Sequence, residues 1–434
     1  MIDATGVALG FGLMLLLMAL GLHIATVMFS IGAIGAALYF GMPAVSALGV
    51  IYFESMNDSL LLALPLFILL GEILVRCGST DQMYRSLSDW LNPLPGGLLH
   101  TNVASSALFS AVSGSSVATA ATIATVALPS FRTRNYRTSL VLGSIAAGGS
   151  LGNLIPPGIA FIIYGVLTNT SVARLYAGGV LPGAILTLMF MLCIILLALR
   201  DPTIAPKEIV TDPLSVRLAR LGGLVAPTLI FIVIMGTIYL GWATPTEAAA
   251  LAVVAALPIA AYYRRLTIKM LHEAFLSTIN LTALSMLILA GAFAMNFVLG
   301  LTGATQALTA YITTLNLDAI TLIWVLFVFY VILGTFFETL PMMVGTLPLV
   351  FPLVKAAGID PVWFGVFLVL MCEISLISPP VGMTLYVIQA VRGEGSIADV
   401  FRGTVPFFIT MLLMTVLLIY WQDMALWLPR LAFD

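Results

Sequence analysis

Apolar residues in this 434-residue chain fall in long runs separated by short polar clusters, rather than alternating with polar residues or recurring on one helical face. A helix needs about 20 mostly apolar residues to cross a bilayer. On that basis spanning helices are predicted near residues 4–21, 24–41, 60–76, 138–166, 175–199, 222–240, 246–262, 275–300, 362–391 and 405–428. Two further apolar segments, 98–130 and 318–354, carry polar or Pro/Gly interruptions near their middles. That pattern predicts half-helices that enter the bilayer and turn back.

The pattern occurs twice. The two Pro-Pro dipeptides, Pro156-Pro157 and Pro379-Pro380, lie 223 residues apart, and the same offset carries Pro129 onto Pro352. Each copy reads as three spans, a hairpin, a discontinuous span (138–166 or 362–391) and a final span. The first copy is residues 1–200 and the second 222–434, joined by a segment at 201–221 that is predicted to be cytoplasmic. With the N-terminus outside, only Arg174, Lys355 and Arg430 of the 17 basic residues fall outside, as the inside preference of Lys and Arg requires. The copies then begin on opposite faces and both termini are periplasmic. The predicted fold is an all-α polytopic membrane protein with an inverted-topology repeat, two re-entrant hairpins and two discontinuous helices.

Composition agrees with a lipid solvent: 61% of residues are apolar and 8% charged. A net charge of -2 provides no basic patch for nucleic acid. Cys77, Cys193 and Cys372 are far apart and read as small buried side chains. The N-terminal MIDATGVALG lacks the positive region of a signal peptide, so the first run is expected to be retained. There is no phosphate-binding Gly-x-x-x-x-Gly-Lys-[Ser/Thr] loop, the serine-rich hairpin contains no Gly-x-Ser-x-Gly elbow, and His23, His100 and His272 show no metal-ligand spacing, which argues against an ATPase or another enzyme.

Candidate chemistry sits at the interruptions. The first hairpin packs Ser110, Ser113, Gly114, Ser115, Ser116, Thr119, Thr122 and Thr125 into one stretch, and such hydroxyls suit a small hard cation or, equally, close helix packing. The broken helix that follows contains Gly148, Gly149, Ser150, Gly152, Asn153, Pro156 and Pro157, whose glycines and prolines free backbone carbonyls at membrane depth. In the second copy Glu338 and Glu373 are intramembrane acids, costly enough to suggest function. Glu338, flanked by Thr335 and Thr339, is favoured for an ion-site or gating role. Thr244-Pro245-Thr246-Glu247 reads as a helix start, and Glu72 with Arg76 as a local pair.

The segments PLFILLGE, NPLPGG, LFSAVSGSSVATAATI, GSIAAGGSLGNLIPPGI, ATPTEAAA and ISPPVG resemble the large membrane subunit of the tripartite ATP-independent periplasmic (TRAP) transporters over nearly the whole chain. The resemblance implies an elevator fold like that of the ion-transporter superfamily, in which both hairpins and both broken helices move against a scaffold. It also implies sodium-coupled uptake of a small organic acid, commonly a carboxylate, at a bacterial inner membrane. The implied partners are a periplasmic binding protein and a small membrane subunit on a separate chain. Carried over by motif, one sodium region would involve Ser113, Gly114, Ser115, Ser116, Gly148 and Gly152, and a second Thr335, Glu338, Thr339, Ser375 and Ser378. Gly149, Ser150, Asn153, Pro156, Pro157, Pro379, Pro380 and Gly382 would border the substrate at the broken helices. The chain departs from the commoner family pattern at Gly158, Ser375 and Thr384, where Ser, Gly and Asn are expected. Rival readings are a self-sufficient sodium/carboxylate symporter and, more remotely, a channel or membrane enzyme.

Overall fold

The computed structural model describes residues 10–433 except 11, 15, 19, 133, 207–211 and 304–317, and all regular structure among the described residues is helical. Described residues at 10–18 are helical, and they are followed by α1 (Ile24–Phe40), α2 (Met42–Met56), α3 (Ala63–Arg76) and α4 (Ser79–Leu91). The first hairpin is α5 (Leu98–Ser113) and α6 (Ser116–Phe131), followed by a broken pair, α7 (Thr138–Gly149) and α8 (Ile159–Thr168), and by α9 (Val172–Arg200). After α10 (Leu214–Arg220) come α11 (Val225–Tyr239), α12 (Pro245–Tyr262) and α13 (Ile268–Thr302). The second hairpin is α14 (Ala319–Gly334) and α15 (Thr339–Ala356), followed by α16 (Pro361–Leu376), α17 (Met383–Arg392), α18 (Ile397–Tyr420) and α19 (Asp423–Phe433).

Seven described helical stretches are long and apolar enough to cross a membrane by length and composition. Six coincide with predicted spans; the seventh is α15, an arm of the second hairpin. The other predicted spans divide. Those at 138–166 and 362–391 are each two short helices, 24–41 is α1 with 17 residues, and half of 4–21 lies outside the described residues. The span expected at 405–428 ends at Tyr420, where Trp421 leaves helical geometry and α19 starts afresh with its own Asp423–Arg430 pair at 2.9 Å.

Apolar side chains occupy the outside as well as the core. Leu188, Leu192, Leu196 and Leu199 follow one face of α9, each more than half exposed. In water such a stripe would forfeit about 25 cal/mol for every Å² left unburied, whereas acyl chains cover it without cost. Helices meet closely at small residues. At the α7–α18 crossing a Cβ on Gly143 would lie 2.0 Å from the Gly403 carbonyl oxygen, and one on Gly403 only 1.7 Å from that of Ser139.

The amphipathic α4 has no counterpart among the predicted elements, because its polar face hides it from a search for apolar runs. It buries Met83 and Tyr84, and the Tyr84 hydroxyl donates to Asn102 Oδ1 at 2.7 Å while Asn102 Nδ2 donates to Ser144 Oγ at 2.9 Å. The connecting segment docks on its far end, with Arg220 paired to Asp89 at 2.9 Å and the Arg217 guanidinium 4.6 Å from the Trp90 ring centre. Two local readings hold. Thr244 and Glu247 form a reciprocal cap on α12, and Arg76 pairs with Glu72 at 3.0 Å while also reaching Glu273 on α13 at 3.0 Å.

Candidate functional site

The first hairpin turns where its sequence allows it to. Gly114 takes φ +61°, a left-handed conformation that suits glycine, and a Cβ there would lie 2.4 Å from the Pro157 carbonyl oxygen. The turn is therefore seated on the first helix break, and Ile159 N donates to Gly114 O at 3.0 Å. Ser115 caps α6 through Ala118 N, and the Ser113 and Thr119 hydroxyls are 2.9 Å apart. α7 ends at Gly149. Gly152 lies against the hairpin so closely that a Cβ would be 2.3 Å from Ser116 N, while a Cβ on Gly148 would meet Ser106 Oγ at 2.3 Å.

Among the described residues Glu373 is the one buried acid, and Ser116 is the hub of the contact by which it joins the two halves. Its Oγ accepts from Asn153 N at 3.1 Å and Asn153 Nδ2 at 2.9 Å, and donates to Glu373 Oε2 at 2.6 Å. Asn153 Nδ2 also donates to Glu373 Oε1 at 2.8 Å. Glu373, on α16, is completely buried. The sequence marks it as an intramembrane acid but places it in neither ion region; its partners lie 257 and 220 residues away, beyond any local signal.

In the second hairpin the Thr335 hydroxyl donates to Ile332 O at 2.7 Å, and Glu338 stands at the N-cap of α15 in extended backbone. Ser375 Oγ donates to Cys372 O at 2.6 Å. Gly334 faces Ser375, where a Cβ would come within 2.9 Å of the serine Cβ, so the absent side chain on one helix leaves room for the extra one on the other. The departure at Gly158 also has a local cause: a Cβ there would lie 1.9 Å from Asn153 O. Ser378 O accepts from Gly382 N at 2.9 Å, and the Tyr386 hydroxyl donates to Pro380 O at 2.8 Å. Ser150 bonds its own helix at Ala147 O, and Gly149 packs on Ala120 and Thr384. Both Pro-Pro bonds are cis.

Ser113, Ser115, Ser116, Asn153, Glu338 and Thr339 line one cavity of about 680 Å³, walled on the other side by α3 and α13. Gly148, Gly149, Ser150, Gly152, Thr335, Ser375 and Ser378 do not line it, and all of them but Thr335 are buried. Arg76 is the one basic residue in the lining, and it is already held by two carboxylates, while Glu72, Asp81 and Glu338 also face the space.

The donor atoms fit a small hard cation. The hydroxyl oxygens of Ser106, Ser110, Thr339 and Thr384 are buried with no partner among the described residues, and no backbone N–H among them reaches the carbonyls of Asn153 or Pro157. These are oxygen ligands without thiolate or imidazole, the kind that alkali and alkaline-earth cations take. The described residues hold no His/Cys/Asp/Glu cluster for a transition metal. Ser106 was legible in the sequence only as another small residue of α5, because its orphaned state depends on Gly148 opposite.

Three comparisons bear on what this arrangement belongs to. The sequence model of the family described as the tripartite ATP-independent periplasmic transporter, DctM component, matches residues 11–424. The C4-dicarboxylate TRAP transporter large permease protein DctM of Pseudomonas aeruginosa is 32% identical over 405 residues, covering 92% of this chain and 94% of that protein. The sialic acid TRAP transporter large permease protein SiaM of Vibrio cholerae is 31% identical over 376 residues, 86% of each. Among solved structures, the Alcanivorax borkumensis YdaH transporter superposes with a TM-score of 0.60 at 16% identity over 92% of this chain and 96% of that one, a likeness of fold. With a family match over residues 11–424, relatives that are transporter permeases and several helices apolar enough to span, this chain belongs to the large permease components of the TRAP transporters, multi-pass proteins of the inner membrane.

Proposed function

We propose that this chain imports a small organic acid, a carboxylate, together with sodium, receiving it from a periplasmic binding protein and working beside a separate small membrane subunit. The observation that carries this reading is the cavity on which both hairpin turns and the first helix break converge. A carboxylate entering it meets three acids and an arginine already doubly paired, so it needs a cation brought with it. Bound sodium would supply that positive charge where low dielectric strengthens its hold on an anion. Ser113, Gly114, Ser115, Ser116, Gly148 and Gly152 would form one sodium region, and Thr335, Glu338, Thr339, Ser375 and Ser378 the other. The hydroxyls of Thr335 and Ser375 give their hydrogens to their own helices, which leaves oxygen lone pairs for a cation.

The same order of hairpin, broken helix and long helix in residues 1–200 and 222–434 supports an inverted repeat, with the hairpins re-entrant. The hairpins and broken helices would then travel as one body against the remaining helices, an elevator motion. The distribution of basic residues favours periplasmic termini and a cytoplasmic 201–221 segment.

Reconstitution in vesicles tests the whole reading. Uptake is expected only with sodium, binding protein and small subunit all present, and a cysteine placed at 212–220 should be labelled from the cytoplasmic face alone. Full uptake by this chain by itself would favour the self-sufficient symporter, and labelling from the periplasmic face would remove the topology. The residue assignment has its own test. Ala at Ser113 or Ser115, or Gln at Glu338, removes an interaction of about 0.5–1.5 kcal/mol. The sodium concentration for half-maximal uptake should therefore rise by roughly 2- to 13-fold. A lower maximal rate with unchanged sodium dependence would assign these residues to packing.

A further inference from the structure

Every hydrogen around Glu373 points at it. Ser116 Oγ receives two N–H donors from Asn153, which fills both its lone pairs, so its single hydrogen is left for Glu373 Oε2. The second amide hydrogen of Asn153 goes to Oε1. Glu373 is thus an acceptor at both oxygens, the pattern of an ionised carboxylate. It is completely buried, and among the described residues it has no ion-pair partner. A carboxylate so buried takes up a proton unless a cation compensates its charge. The N-terminus of α6, with Ser116 as its first residue, supplies only a partial positive charge.

Other ligand atoms lie on helices packed against α6. Ser110 on α5 has an orphaned hydroxyl, Ser106 likewise beside Gly148, and Thr384, orphaned too, reaches over Gly149 from α17. We propose that Glu373 is the counter-charge of the first sodium region, supplied to it by the opposite half of the chain. That region would then be complete only when α16 is seated against the first hairpin and the first helix break, which ties cation binding to the engagement of the two halves. This inference rests on the sodium-coupled reading above.

The test measures sodium binding without transport, as the sodium concentration that half-maximally protects the purified full chain from heat, with choline as the control salt. Wild type should be protected by sodium and not by choline. Glu373→Gln, which keeps the size but removes the charge and turns one of the two acceptor oxygens into an amide donor, should need at least about tenfold more sodium. Glu373→Asp should fall between the two. Wild-type protection with an unchanged response in folded Glu373→Gln would overturn the assignment and leave sodium coupling standing. No sodium protection of wild type would overturn both. Should Glu373→Gln fail to accumulate, Glu373→Asp decides the matter: it retains the charge one methylene further back, and an unchanged sodium requirement would overturn the proposal.

Discussion

Gly152→Ala should reduce uptake by at least tenfold in protein that still reaches the membrane. The added Cβ would sit 2.3 Å from both the nitrogen and the Cα of Ser116, and 2.5 Å from the Ser115 carbonyl carbon. These are backbone atoms, so no side-chain rotation relieves the overlap. Relief requires the hairpin turn to lift from the helix break, which would break the bonds from Asn153 to Ser116 and withdraw Ser116 from Glu373. Overpacking of this kind costs about 1–3 kcal/mol. The upper half of that range corresponds to about a 30- to 150-fold loss of the engaged state. Uptake normalised to the amount of folded permease is the measurement. Activity near wild type at normal expression would mean that the turn and the break need not stay in contact.

The second large effect is on folding. Gly403→Val should remove most of the folded protein, because even the first added carbon would lie 1.7 Å from the Ser139 carbonyl oxygen. Across the same crossing a Cβ on Gly143 would be 2.0 Å from Gly403 O, so neither α7 nor α18 can absorb a side chain without separating by more than an ångström. Losses above about 4 kcal/mol are exceptional among single substitutions, and forced separation of packed backbones belongs among them. Gly236→Ala on α11 is the matched control. Nothing lies nearer than 4.0 Å to its Cβ position, and relief of the helix propensity penalty should leave it neutral or more stable by about 1 kcal/mol. The folded fraction recovered after mild detergent extraction separates the two. Equal recovery of both variants would show that the α7–α18 contact is dispensable.

Much of this architecture is legible in the sequence because it depends on local chemistry. Apolar runs set the long helices, since a chain in hydrocarbon must pair its backbone within each segment. Glycine and proline mark the interruptions: α7 stops at Gly149, the first hairpin turns at Gly114 with positive φ, and α12 begins on the Thr244 cap. Hydroxyl clustering at 113–116 also points to the cavity that those residues line. Polar character hid α4, because a search for apolar runs passes over a helix with only one buried face.

What only the tertiary structure decided is which of these residues meet. Ser115 and Glu338 stand in the same cavity, whereas Ser375, equally prominent in the sequence, does not line it and packs against Gly334. Ser106 becomes an orphaned hydroxyl only because Gly148 faces it, and Glu373 acquires Ser116 and Asn153 from the other half of the chain. The reason is physical. Helix propensity, capping and turn chemistry act over a few residues, and one sequence window contains them. A hydrogen bond between residues more than 200 positions apart depends on how whole helices cross, and those crossings are set by the summed fit of many small side chains, none of which encodes the partner by itself.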